Sequence, residues 1–503
     1  MDIKKLLKKI EYTSIHGNTN VDIKGIAYDS RKVKKDYIFV AIPGEKDDGT
    51  KYEHEAINNG AAVIVSKSYN PAIEHALQIV VKQPRLALAL LSKEFYNNPS
   101  SMLFVVGVTG TNGKTTTTYL IESILSLAGK KPIVIGTVNY RFMDKTLKAI
   151  NTTPESLDLN MMMHDHLTNG ATHAIMEVSS HALSQGRVNG IDFDVAIFTN
   201  LTQDHLDYHK TMEDYFSAKA ILFEKLLVES RKGNKFAILN NDDPWAHRIK
   251  IKKGIHILRY GRTNQSDIKL IEYRTSLDGI YVRLSTPIGL LELYSPLVGF
   301  YNIYNIMAAV STAIVSNISV ENIKDGIALM KNVPGRVERI KNPKDVYVFI
   351  DYAHTPDALE KVLIALNELK KRRVICVFGC GGDRDKGKRP IMGEVATRLS
   401  DITIITSDNP RSEQPEKIIA DIEKGIKNTT KIETINPDNN YTSKIYTVIQ
   451  DRQEAIWKAL DIAKKDDILL IAGKGHEDYQ IFKDKTVHFS DKECVNNYFG
   501  ITP

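Results

Sequence analysis

The chain reads as an α/β protein of three domains, and three observations predict this. An apolar run, Phe104, Val105, Val106 and Val108, leads into a Gly110-Thr-Asn-Gly-Lys-Thr115 loop and then a helical pattern. Further apolar runs each end in a polar cluster, as in open parallel sheets whose ligand groups gather beyond the carboxyl ends of the strands. At 503 residues the chain is too long for a single core, and length suggests about three domains.

In order, residues 1–98 form a small α/β unit. Strands are expected at Tyr37 to Ile42 and Ala61 to Ser66, with a helix from His54 to Gly60 between them. Asn97-Asn98-Pro99-Ser100 marks the first boundary. Residues 99–333 form a central, P-loop ATPase-like parallel sheet. In its first helix Leu120, Ile121, Ile124, Leu125 and Ala128 recur at helical spacing, and Gly129 stands at the helix end. Ala174 to Met176 runs into Glu177-Val-Ser-Ser-His181. Val195 to Phe198 runs into Thr199, Asn200, Asp204, His205 and Asp207, and Phe236 to Leu239 into Asn240, Asn241 and Asp242. Turns at Leu277-Asp278-Gly279 and Pro287-Ile288-Gly289 predict an antiparallel extension of this sheet. A helix over 302–314 follows, then a Val333-Pro334-Gly335 linker. Residues 334–503 repeat the rhythm without a phosphate loop, as a Rossmann-like domain. Its strands precede Asp351-Tyr-Ala-His-Thr-Pro356, Gly379 to Pro390, Asp408-Asn409-Pro410-Arg411 and Gly473-Lys-Gly-His-Glu477.

Composition narrows the classes. The 42% apolar and 25% charged content is that of an ordinary globular protein, and 67 basic against 61 acidic residues leave a net charge of +6. So slight a charge gives no warrant for nucleic-acid or membrane binding. Three cysteines, Cys376, Cys380 and Cys494, predict reduced thiols in a cytoplasmic protein. The lysine-rich N-terminus lacks the apolar core of a signal peptide, and no run of 18 apolar residues predicts a membrane helix.

The loop at Gly110, Thr111, Asn112, Gly113, Lys114 and Thr115 has the chemistry of a phosphate cradle. Glycines let backbone N–H groups approach phosphate oxygens, the helix N-terminus adds partial positive charge, Lys114 reaches the β/γ-phosphates and Thr115 can hold Mg2+. Val108 stands where the usual pattern has its first glycine, so the loop is a variant. The alternative is an ordinary strand–turn–helix with a surface lysine. Glu177 and His205 join Thr115 as possible Mg2+ ligands. Because Mg2+ prefers oxygen, composition alone favours a cap or core role for His205. Lys219 lies among apolar residues, Tyr215 to Phe223. Either it snorkels out of a helix face, or burial lowers its pKa so that the neutral amine takes up carbon dioxide as a carbamate. The residues alone favour snorkelling.

The ordered set Gly110 to Thr115, Glu177 to His181, Asn200 with Asp204 to Asp207, Ala218-Lys219, Asn302 with Asn305, Pro334 to Glu338 and Asp351 to His354 resembles the Mur ligase family over essentially the whole chain. The resemblance implies ATP-phosphate binding by Gly110 to Thr116, including Thr116. It implies Mg2+ ligation by Thr115 and, at a second ion, by Glu177, His205 and carbamylated Lys219. Lys114, Glu177, His205 and Lys219 become the catalytic set. Asn302 and Asn305 lie near adenine, and Arg336 and Asp351 reach the nucleotide from the third domain, so catalysis needs domain closure.

The resemblance further implies that the first domain binds the UDP end of a muramoyl-peptide, with Ser30 of Asp29-Ser30-Arg31 in contact. Asn151, Thr152, Thr153, Ser179, Gln185 and Arg187 bind the rest of that nucleotide. The first domain departs from the family at Asp36-Tyr37 and Asp48-Gly49-Thr50. Family members with Asp408-Asn409-Pro410-Arg411 resemble those that add meso-2,6-diaminopimelate, and those adding L-lysine generally lack the arginine. A guanidinium grips the distal carboxylate that lysine lacks. Arg384, Gly473 and Glu477 complete the amino-acid contacts. Without the family, Arg411 reads equally as a surface arginine at a helix start.

The implied activity is ATP-dependent addition of meso-diaminopimelate to UDP-MurNAc-L-Ala-D-Glu through an acyl phosphate. It belongs to cytoplasmic peptidoglycan precursor synthesis and is carried by a monomer. The alternatives are an L-lysine-adding version, a folylpolyglutamate synthetase-like ligase and a non-catalytic ATP-binding scaffold.

Overall fold

The computed structural model describes residues 1–44, 48–330, 332–436, 439 and 441–501. Its strands gather into three main sheets, one in each third of the chain. The first has the order Ser14–His16, Leu77–Val80, Ala61–Ser66, Tyr37–Val40, Gly25–Ala27, parallel except at Ser14–His16. Alternation sends Ile38, Val40, Val63 and Val65 to one face, against Leu88 and Leu91 of the Pro84–Phe95 helix, and Phe39 and Ile64 to the other. Two expectations shorten here. The strand ends at Val40, since the Ile42 carbonyl turns to the Gly49 N–H at 3.0 Å and Pro43 has no donor for the ladder. The helix is Glu53–Asn58.

The central sheet has Phe104–Thr109 in its middle, flanked by His173–Glu177 and Val195–Phe198, all parallel. Pro132–Ile135 continues one wing, and Phe236–Asn240 and His256–Gly261 the other. Both faces of this parallel centre are covered, which is why its strands are apolar almost throughout. Val106 and Val108 pack against Leu120 and Ile124 of the Lys114–Leu127 helix and Ile306 and Val310 of Tyr301–Val315. On the other face Val105 and Met176 join Leu159, Met163, Phe216 and Phe223. The expected antiparallel extension forms, through Ile268–Ser276, Gly279–Thr286 and Gly289–Ser295. A second one was not anticipated. Asn139–Phe142 and Lys145–Lys148 fold antiparallel onto Pro132–Ile135. The last of these strands is exposed at all four positions, so it carries no apolar pattern to read.

The third sheet runs Glu338–Ile340, Tyr347–Asp351, Ile468–Ala472, Val374–Phe378, Ile402–Ile405, Ile445–Val448, Thr430–Lys431, with only the first strand antiparallel. Below it Arg452 and Asp491, both fully buried, form a two-pronged ion pair at 2.7 and 2.8 Å, and Arg452 also donates to the Ala472 carbonyl at 3.1 Å. All three cysteines are buried and unbridged. Among the described residues no helix is long and apolar enough to cross a membrane.

Parallel register places strand ends side by side. Glu177 pairs with Val108 and Phe198 with Thr109 in the central sheet. Asp351 pairs with Ala472 and Phe378 with Ile405 in the third. The polar clusters read from the sequence therefore collect along one edge of each sheet.

Candidate active site

The phosphate loop leaves the middle strand and turns at Gly110 and Gly113, with φ of +149° and +87°. Space demands glycine at both. A Cβ on Gly110 would lie 1.8 Å from Thr199 Oγ1, and one on Gly113 would lie 2.3 Å from Asn305 Oδ1. Asn200 shapes the loop from the adjacent strand end. Its carbonyl accepts from the Thr111 N–H, its Oδ1 from the Asn112 N–H, and its Nδ2 donates to the Asn112 carbonyl. Lys114 Nζ donates to the Gly110 and Thr111 carbonyls, both at 2.9 Å. Thr115 and Thr116 are buried in the first helical turn. Asn305 donates to Asn302 Oδ1, and Asn302 to the Val298 carbonyl, so this pair backs the loop.

Beside the loop, Glu177 is 1% exposed. Its two oxygens accept from the Thr137 N–H and hydroxyl, each at 2.9 Å. Thr137, unremarked in the sequence, follows the end of the neighbouring strand. Lys219 does not snorkel. It is 1% exposed, its Nζ donates to the Gly110 carbonyl at 2.9 Å and lies 4.3 Å from the centre of the Tyr215 ring. Burial, reinforced by Lys114, pushes its pKa well down. The residues alone favour snorkelling because helical periodicity is blind to the sheet edge that caps this face, whereas the resemblance implies the buried reading. His205 is not a core residue, and it stands at the N-cap position of the helix Leu206–His209 through its backbone alone, its carbonyl accepting from the Tyr208 and His209 N–H groups. It is exposed, with φ +53°, and its side chain makes no bond to the helix Leu206–His209. The buried histidine of this segment is His209, bonded to Ser180 at 2.9 Å. Among the described residues no three His, Cys, Asp or Glu side chains converge as a metal cluster.

The residues expected at the muramoyl-peptide meet on the same edge. Thr152 bonds Thr137 at 3.1 Å, and Thr153 donates to the Glu177 carbonyl at 2.8 Å. The Ser179 N–H donates to Thr153 Oγ1. Arg187 donates to the Thr153 carbonyl and to Gln185, and pairs with buried Glu155 at 3.3 Å. Arg85 of the first domain reaches the same Glu155 oxygen at 3.2 Å. Asn151 is exposed and bonds Tyr140 through its backbone. Ser30 stands apart from this group. It is 6% exposed and donates to Glu55 at 2.7 Å, inside the first domain.

In the third domain, Arg336 lies over the Tyr352 ring at 5.0 Å, and its Nε is buried without a partner among the described residues. Asp351 accepts from the Val337 and Ala353 N–H groups, both at 2.7 Å, and burial raises its pKa to about 6 against the pull of Arg336. Tyr352 donates to Glu477 at 3.4 Å, and Asn409 donates to Glu477 at 2.9 Å. Asp408 caps the Asn409 N–H and lies against Gly473, and the carbonyl of Pro410 accepts from the Glu413 N–H. Arg411 is no helix-start arginine, since the next helix begins at Pro415. It is half-buried and donates to the Gly382 carbonyl at 2.7 Å. Arg384 is exposed, and both arginine side chains pass Gly381. Lys474 was missed. It is fully buried and donates to the Tyr479 carbonyl and to Glu477 at 3.3 Å. Its setting among glycines and a histidine carries no burial signal. Left-handed backbone at His205, Val337, Asp383 and Arg411 puts strain in these loops. Strained non-glycine backbone of this kind clusters at functional sites.

A phosphate loop on a parallel sheet, joined to a further α/β domain whose strand ends carry polar clusters, is the architecture of a nucleotide-dependent enzyme. Three family models match in succession: "Mur ligase family, catalytic domain" over residues 22–96, "Mur ligase middle domain" over 108–313 and "Mur ligase, glutamate ligase domain" over 335–475. The chain belongs to the Mur ligase family. It is 44% identical over 501 residues to UDP-N-acetylmuramoyl-L-alanyl-D-glutamate--2,6-diaminopimelate ligase 1 of Clostridium acetobutylicum, covering 99% of each chain. A solved structure of a ligase of that activity name is 33% identical, with TM-score 0.69 over 97% of each chain. Folylpolyglutamate synthase of Mycobacterium tuberculosis, solved with ADP and AMPPCP, shares the fold alone: 16% identity, TM-score 0.63, over 83% of this chain and 96% of that one.

Proposed function

We propose that this chain is the ATP-dependent ligase that joins meso-2,6-diaminopimelate to UDP-MurNAc-L-Ala-D-Glu in cytoplasmic peptidoglycan precursor synthesis. The observation that carries this reading is full-length likeness to ligases of that name. The gathering of Asp408 to Arg411 with Gly473 and Glu477 at one sheet edge supports it. The domains are taken as 1–98, 99–333 and 334–503, working as a monomer.

The terminal carboxylate of the dipeptide attacks the γ-phosphate of ATP, giving an acyl phosphate and ADP. The amine of diaminopimelate then attacks the acyl carbon, and phosphate leaves. The chain contributes position and charge. Lys114 and the N–H groups from Gly110 to Thr116 hold phosphates. Asn302 and Asn305 set the loop and the adenine side, and Arg336 and Asp351 close on the nucleotide. Asn151, Thr152, Thr153, Ser179, Gln185 and Arg187 hold the dipeptide nucleotide, with Ser30 toward its uridine. Arg411 takes the distal carboxylate, Arg384 a second contact to the amino acid, Gly473 a backbone contact and Glu477 the distal ammonium. Thr115 and Glu177 offer the hard oxygen donors that suit Mg2+, and His205 and carbamylated Lys219 would complete a second ion's set. Mg2+ would neutralise phosphate charge.

The test is ADP release with each substrate omitted in turn. The reading expects release to need dipeptide nucleotide and product to need diaminopimelate. Release indifferent to the dipeptide nucleotide would contradict it.

A further inference from the structure

The first helix of the third domain, Pro356–Leu369, meets the phosphate loop of the central domain through one side chain. Asp357 Oδ2 accepts from Asn112 Nδ2 at 3.2 Å and from Thr202 Oγ1 at 3.1 Å. Lys361, one turn along, donates to the same oxygen at 2.9 Å.

Both central-domain donors are held from behind. The Asn112 N–H is spent on Asn200 Oδ1, and its carbonyl accepts from Thr199 at 2.7 Å and Asn200 at 3.1 Å. Thr202 is clasped by Thr111: its N–H donates to Thr111 Oγ1 at 3.0 Å, and that hydroxyl donates to the Thr202 carbonyl at 3.1 Å. The helix start is equally fixed. Thr355 caps the Ala358 N–H, and Lys388 donates to the His354 carbonyl at 2.7 Å. A carboxylate in the first helical turn is favoured by the helix dipole. Two fixed pieces from different domains thus share one acceptor atom at the phosphate loop; away from the loop the domains also touch through Arg339 with Asp278 and through Leu277 and Val298 in the third domain's core. Arg336, Asp351 and the amino-acid loops ride on the same body as that helix.

We infer that Asp357 is a positioning residue, which registers the third domain on the phosphate loop so that the acyl phosphate and the incoming amine meet. The inference rests on the ligase reading above. Asp357 acts as a hydrogen-bond acceptor rather than through charge, because its ion pair with Lys361 is exposed at 33% and 44% and such pairs contribute little.

The test compares Asp357→Ala with Asp357→Asn in the full chain, since asparagine keeps an acceptor. The alanine variant is expected to lose about tenfold or more in kcat with all substrates saturating, while its Kd for UDP-MurNAc-L-Ala-D-Glu stays within about twofold of wild type. The asparagine variant is expected to stay within about threefold of wild type in kcat. Small-angle scattering with a non-hydrolysable ATP analogue and the dipeptide nucleotide should show the alanine variant more expanded than wild type. Alanine and asparagine losing equally, kcat of the alanine variant within about twofold, or identical scattering would each overturn the inference. Wild-type protein without diaminopimelate-dependent turnover would sink the ligase reading instead, and the scattering comparison would still decide the role of Asp357.

Discussion

Burial sets the chemistry of Lys219 and of Asp351. Lys219 sits in a neutralising environment beneath the phosphate loop, and a neutral amine is what carbamate formation requires. Lys219→Ala is expected to lower kcat by about 100-fold or more, and millimolar formate or acetate to restore part of it. An unrescued variant of full activity would remove the carbamate. Asp351 is an acid raised from 3.8 to about 6, so between those values the folded chain holds a proton that the unfolded chain has released. Its contribution to stability therefore falls as pH rises through that window. Melting temperature measured from pH 4 to pH 7 should show wild type losing ground relative to Asp351→Asn, whose side chain does not titrate. Parallel curves would contradict the assignment. Neither burial follows from periodicity, although the resemblance implied it for Lys219. Lys219 looked like one more lysine on a helix, because what buries it is the carbonyl edge of a strand over 100 positions away in sequence.

At the scale of elements, what was legible followed periodicity and glycine. The Phe104–Thr109 strand, its loop and the Lys114–Leu127 helix lie where apolar spacing and Gly129 put them. So do the two hairpins around Asp278-Gly279 and Ile288-Gly289. The 139–148 meander was illegible because its outer strand faces solvent on both sides. Gly113→Ala is expected to weaken ATP binding by about tenfold or more, since its Cβ must displace Asn305 and its φ is left-handed. Equilibrium binding of a fluorescent ATP analogue measures this. The buried Arg452–Asp491 pair fixes the strand end from which Gly473 to Glu477 departs. Asp491→Ala should cost about 3–5 kcal/mol in denaturant unfolding, because it strands a buried guanidinium.

For the molecule as a whole, the order of motifs along the chain was legible, and their assembly was not. Sequence alone places Asp408 to Arg411 and Gly473 to Glu477 in separate loops. Parallel register brings them to one edge, where Asn409 bonds Glu477. The link from Asp357 to the phosphate loop spans 245 positions and had no local signature. Ser30 is the site residue least explained by its surroundings, since its hydroxyl is engaged by Glu55. On the proposed function, three domains bring a dipeptide carboxylate, ATP and an amino acid with a distal carboxylate to one place, with Arg411 choosing the amino acid. The most direct measurement is ADP release with UDP-MurNAc-L-Ala-D-Glu and either meso-diaminopimelate or L-lysine, in wild type and Arg411→Ala. Wild type is expected to show kcat/KM at least about 100-fold higher for diaminopimelate than for lysine, and that ratio to collapse in the variant. Equal kcat/KM for the two amino acids in wild type would contradict it.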